Sequence, residues 1–143
     1  MRETFTLSEA IDRRRKTEKP WLEFLRVPAL SVGIYSLRAG AEDPQAPHTE
    51  DEVYYVVSGR ATLRVGDEDR VVGPGSIVFV GAAIKHRFHS IKEDLTSLVF
   101  FAPAAGANNR WLFLSAPGGL NEIGLAICFT FGSVPPTCGS CPA

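Results

Sequence analysis

Two imidazoles and a carboxylate can hold a reactive cation, and His48, Glu52 and His86 supply that set in this chain. With coordination positions left open it is the facial ligand set of non-haem Fe(II), usable also by Mn, Ni, Cu or Zn. Taken singly, each residue has a plainer role open to it: any of the three histidines can be an ordinary surface or core residue, and Glu52 ends an acidic run with Glu50 and Asp51. Convergence needs strands. Side chains two apart on a strand share a face, so a strand can aim one ligand into a barrel while its backbone bonds to its neighbours. His86 can then meet His48 and Glu52 if their strands are adjacent across the lumen. Tyr54 shares the phase of Glu52 and is the best candidate for a lumen hydroxyl, while Tyr55 faces the other side. Gln45 could lend an amide oxygen or hold a water, but strand alternation would turn it away from His48. His89 is out of phase with His86 and should face outward. Glu50 reads as a solvated loop charge near enough to support a ligand or accept a proton. Phe79 and Phe88 read as core or pocket wall.

The elements that must position these groups are short β-rich runs. They are Trp21–Val27, Leu30–Leu37, Val53–Val57, Ala61–Val65, Arg70–Val72, Ser76–Val80, His86–His89 and Leu95–Phe101. Gly40, Ser58-Gly59, Gly66-Asp67, Gly73-Pro74-Gly75 and Gly81 punctuate them, and turn residues at such spacing with no helix between predict an all-β sandwich or barrel. Thr6–Lys16 predicts one short helix, capped by Thr6 or Ser8, with Glu9 in its first turn and Arg13–Lys16 at its C-terminal end; a charged flexible arm is the competing reading. The chain divides into an N-terminal arm (1–20), a barrel (21–104) and an irregular C-terminal extension (105–143), in which only Leu120–Phe131 resembles structure and could add a strand or cover a sheet edge. Gly132–Ala143 reads as poorly ordered.

Composition narrows the function. The chain has 143 residues, 45% of them hydrophobic and 22% charged, which suits one packed domain and not a disordered chain. Fifteen basic residues against sixteen acidic ones leave a net charge of −1, so there is no cationic field for nucleic acid. Met1–Lys19 is dense in charge, unlike a secretory leader, and the longest apolar stretch, Ile123–Phe131, is too short to span a membrane. A cytoplasmic protein is the expectation. Cys128, Cys138 and Cys141 are odd in number and gathered near the end, which suits a reducing compartment. Cys138-x-x-Cys141 alone is a weak sign of a redox pair or half a zinc site, and free thiols are the expectation.

Two segments carry a family resemblance. Gly40 through His48 to Glu52, followed by Val53–Gly59, resembles the first cupin motif, with His48 on the second of its usual His-x-His pair and Ala46 on the first. Gly75–Ser90 resembles the second cupin motif, with His86 in the place of its metal-binding His, while Gly81, Ala83 and Ser90 replace the usual Pro, Gly and Asn. The resemblance runs from about Gly40 to Ala102. It implies a double-stranded β-helix (jelly-roll barrel) holding a divalent transition metal through His48, Glu52 and His86, with Ala46 reducing the usual four ligands to three. It implies a small-molecule ligand or substrate, an oxygenase, isomerase or lyase chemistry in which Tyr54 and Glu50 are the candidate catalytic groups, and a homodimer, which apolar edge strands would favour. A binding or sensing module without catalysis is the alternative, made credible by the lost first His.

Overall fold

The structure is a computed structural model, and it describes residues 4–107. The proposed strand or cover at Leu120–Phe131, the order of Gly132–Ala143 and the three cysteines lie outside those residues. Within them, one helix, α1 (Leu7–Arg15), precedes six strands: β1 (Trp21–Val27), β2 (Leu30–Leu37), β3 (Asp51–Val65), β4 (Glu68–Val72), β5 (Ile77–Val80) and β6 (His86–Ala102). All pairings are antiparallel, in the order β1-β2-β6-β3-β4, with β5 on the β4 side of β3.

The eight expected runs condense into six strands because β3 and β6 each carry two of them. They pair along their whole length, from Asp51 opposite Ala102 to Val65 opposite His86, with register shifts around Val56–Thr62. Those shifts keep the inner face continuous. On β3, Glu52, Tyr54 and Val56 are buried, then Gly59, Ala61 and Leu63; on β6, His86 and Phe88 are followed by Ile91, Leu95, Ser97, Val99 and Phe101. Each sequence of buried positions changes from even to odd, which is what one inserted residue does to a two-residue period. Gly59 makes the change possible: its φ is +90°, and a Cβ there would stand 2.3 Å from the Asp94 carbonyl oxygen. Ser90, at φ +48°, stands at the corresponding break in β6.

The core lies between the two halves of these bent strands and includes Leu37, Val56, Leu63, Val72, Phe88, Ile91, Leu95 and Val99. The sheet thus wraps around its own interior as an all-β barrel. Helix α1 packs against β1 and β2. Thr6 and Glu9 form a reciprocal capping box, Ala10 is buried, and the Arg14 guanidinium donates to the Ser36 carbonyl (3.0 Å) and the Pro20 carbonyl (3.4 Å). Phe79 departs from expectation. It is 62% exposed because it pairs with Val53, out of phase with Glu52, while its neighbour Val80 pairs with Glu52 and is buried.

Candidate metal centre

Glu52 enters the barrel near the start of β3 and His86 is the first residue of β6. His48 precedes β3 on a loop, held there by backbone: its carbonyl accepts the Ala83 N–H at 2.8 Å, and the Asp51 carboxylate accepts the Ala82 N–H at 2.9 Å. The turn between β5 and β6 is thus tied to the loop that carries His48, and the three side chains meet. His48 Nε2 lies 2.9 Å and His86 Nε2 3.0 Å from the same Glu52 oxygen, Oε2. One donor atom from each of the three residues lies within 4.8 Å of the others.

These separations are those of hydrogen bonds, but the directions are not. Both Nε2 atoms and Glu52 Oε2 are buried without a hydrogen-bond partner, an arrangement that costs free energy unless something else satisfies the lone pairs. A cation does so. Donor atoms about 2.1 Å from one ion and at right angles to each other stand about 3.0 Å apart, and the separations of Glu52 Oε2 from the two Nε2 atoms agree with that. His86 is prepared for the task, since its Nδ1 lies 2.9 Å from the Ile84 carbonyl; as Nδ1–H it donates there and leaves Nε2 as the lone-pair atom. His48 stacks edge-on against Phe101, ring centroids 4.8 Å apart.

Electrostatics follow from the same crowding. Burial pushes the Glu52 carboxyl up, but the imidazoles of His48 and His86 and the Tyr54 hydroxyl outweigh burial and hold it below its ordinary range. Burial lowers His86, and Glu52 with the Ile84 carbonyl outweighs that and raises it. Tyr54, fully buried, is pushed well above an ordinary phenol by burial and then by the charge of Glu52.

Of the other expected residues, Tyr54 lies beside the cluster, its ring 6.0 Å from His86. His89 faces outward to Asp69 at 3.0 Å. Two expectations are corrected. Glu50 is 1% exposed and not a solvated loop charge; it accepts the Thr49 hydroxyl at 3.1 Å and is a wall of neither cavity described below. Gln45 points in, not away. Residues 41–50 form no strand, so alternation does not govern them, and the Gln45 amide oxygen accepts the Tyr54 hydroxyl at 2.7 Å while Ala46 is exposed.

The residue that turns Gln45 inward went unmarked in the sequence. Asp43 accepts the Gln45 backbone N–H (3.1 Å) and side-chain amide (2.9 Å), the Tyr35 hydroxyl (2.5 Å) and the Phe88 N–H (2.7 Å). An acid on a Gly- and Pro-rich loop gives no signal of such a role, because its partners come from β2 and β6. A chain of polar contacts results: Asp43 orients Gln45, and Gln45 orients Tyr54 next to Glu52.

Two cavities meet this cluster. One, of about 170 Å³, is mostly apolar and bounded by Trp21, Tyr35, Glu52, Val99 and Phe101. The other, of about 280 Å³, is bounded by His86 and by Arg64, Lys85 and Arg87. Gln45 stands at both.

A bent antiparallel barrel with His and Glu ligand candidates at one end of its lumen defines the class. The cupin domain model matches residues 33–101, and the chain belongs to the cupin superfamily. It is 50% identical over 99 residues to an uncharacterized protein, SCO3923, of Streptomyces coelicolor, covering 69% of this chain and 94% of that one. Among solved structures, TT1209 of Thermus thermophilus superposes with a TM-score of 0.60 at 23% identity, over 72% of this chain and 99% of that one. The DMSP lyase DddQ of Ruegeria pomeroyi gives a TM-score of 0.50 at 25% identity, over 53% of this chain and 39% of that one; the chain thus spans well under half of that lyase. Among the described residues no helix is long and apolar enough to cross a membrane.

Proposed function

We propose that this cupin is a metal-dependent enzyme acting on a small organic molecule, with His48, Glu52 and His86 holding one divalent transition metal. The observation that carries the reading is the buried Glu52 oxygen within 3.0 Å of two imidazole nitrogens, none of the three hydrogen-bonded. A bound metal supplies Lewis-acid polarisation of a substrate oxygen, with open coordination positions for it. The chain's own groups do the rest. The Ile84 carbonyl orients the His86 ring, and the Ala83 N–H holds the His48 backbone in place. Tyr54 keeps its proton at neutral pH and presents a hydroxyl beside the cluster, donating to Gln45 until a substrate oxygen competes for it. Trp21, Val99 and Phe101 give the smaller cavity a mostly apolar wall. Elimination, isomerisation and dioxygenation all fit this equipment, and the likeness to a lyase ranks elimination with the others. In this reading the unit is the barrel of residues 21–104, working in the cytoplasm as a homodimer.

One observation favours a second reading, a binding or sensing module without catalysis: Ala46, exposed, provides no first histidine. The two separate in one experiment. The protein is loaded in turn with Fe(II), Mn(II), Ni(II) and Zn(II), incubated in air with pooled diketones, phenols, hydroxy acids and sugars, and followed by mass spectrometry and oxygen consumption. Metal-dependent product that His86→Ala abolishes supports the enzyme; saturable binding without product under every metal supports the module.

A further inference from the structure

We infer that the substrate is an organic anion whose carboxylate or phosphate is held by Lys85 and Arg87 at the mouth of the site. The inference rests on the proposed function only in calling the ligand a substrate; the anion site itself stands on separate observations. The cavity of about 280 Å³ beside His86 has three cationic walls, Arg64, Lys85 and Arg87, and among the described residues no carboxylate lines it. Arg64 is spoken for, donating from Nε and Nη2 to the Asp69 carboxylate at 2.8 Å each. No ion pair engages the Lys85 or Arg87 side chain among the described residues.

The backbone forces these charges together. Arg64 and Arg87 are direct cross-strand partners on β3 and β6, a placement in which like charges destabilise a sheet. The Lys85 carbonyl accepts the Gly66 N–H at 2.8 Å, which fixes Lys85 beside the same strand end. Asp69 answers Arg64 alone, so Lys85 and Arg87 are left at this mouth as cations without an ion-pair partner among the described residues, and an anion can supply one. A planar guanidinium beside an ammonium matches two oxygens of a carboxylate or phosphate. Because His86 and Gln45 also bound this cavity, and Gln45 bounds the cavity that Glu52 lines as well, an anion seated there lies beside the His48–Glu52–His86 cluster. The volume suits a compact metabolite, being near the lower end for ligand pockets.

The test compares wild type with the double variant Lys85→Gln/Arg87→Gln and with a control that removes two exposed cations elsewhere, Arg15→Gln/Arg70→Gln. Isobutyrate, inorganic phosphate and neutral isobutyramide are titrated into each by NMR, on metal-free protein, and metal uptake is measured separately on the same preparations. Wild type and control should bind isobutyrate or phosphate saturably and not the amide. The double variant should bind the anion at least tenfold more weakly, and its melting temperature without anion should equal or exceed that of wild type, since the Arg64–Arg87 repulsion is gone. Preference between isobutyrate and phosphate tells which anion the cleft takes. Equal binding of amide and carboxylate, no binding at millimolar concentration, or an unchanged double variant would overturn the inference. Anion binding in a wild type that takes up no metal would leave it standing and remove the catalytic reading instead.

Discussion

At the scale of single residues, position 45 matters more than its neighbour. The family's usual first histidine falls at Ala46, yet the loop exposes Ala46 and turns Gln45 toward Tyr54. Gln45→His should therefore raise Zn(II) affinity by roughly tenfold, on the scale of well-placed groups at metal sites, whereas Ala46→His should change it little; competition against a chromogenic chelator reads both. Asp43→Asn should lower turnover and loosen the loop, because it removes the charge that gathers Tyr35, Gln45 and the Phe88 N–H. Tyr54→Phe removes the hydroxyl and should spare metal uptake while reducing product formation. If metal uptake fell equally, Tyr54 would be structural and not a proton-bearing group.

At the scale of elements, β3 and β6 make the site, and their bends make it reachable. Gly59→Ala should destabilise the barrel by at least about 2 kcal/mol, from a positive φ and a clash with the Asp94 carbonyl, measured by urea unfolding; a change within error would remove the bend from the argument. Much of this was legible in the sequence. Glu52 and Tyr54 share a face because the period of two holds through that half of β3, and His89 faces outward for the same reason. β3 and β6 each read as two runs in the sequence, because Ser58-Gly59 looks like a turn and the stretch between His89 and Leu95 is polar. Both stretches are bulges inside continuous pairings, and only the partner strand distinguishes the two. Gln45 and Glu50 are not legible because a loop has no period, and the inward turn of Gln45 depends on Asp43 contacts that no spacing rule expresses. Phe79 reads as core or pocket wall in the sequence, and its pairing with Val53, out of phase with Glu52, decides otherwise.

At the scale of the whole molecule, the buried core among the described residues runs from Tyr35 to Phe101. Alkaline pH probes the same interior. Tyr35 and Tyr54 are both raised above the ordinary value of 10.0, first by burial and then by neighbouring acids. Groups whose folded pKa lies above the unfolded one add stability that is complete below the unfolded value and lost as pH rises toward the folded value. Stability should accordingly decline above about pH 10, with tyrosinate absorbance rising in step with unfolding, and Tyr54→Phe should flatten the decline. The central claim, that His48, Glu52 and His86 form one metal centre, meets its most direct test in equilibrium dialysis against Zn(II) followed by elemental analysis of wild type, His86→Ala and Glu52→Gln. The account predicts about one ion per wild-type chain and a small fraction of that in either variant, each still folded by circular dichroism. Wild type without the ion, or variants that retain it in full, would contradict the account.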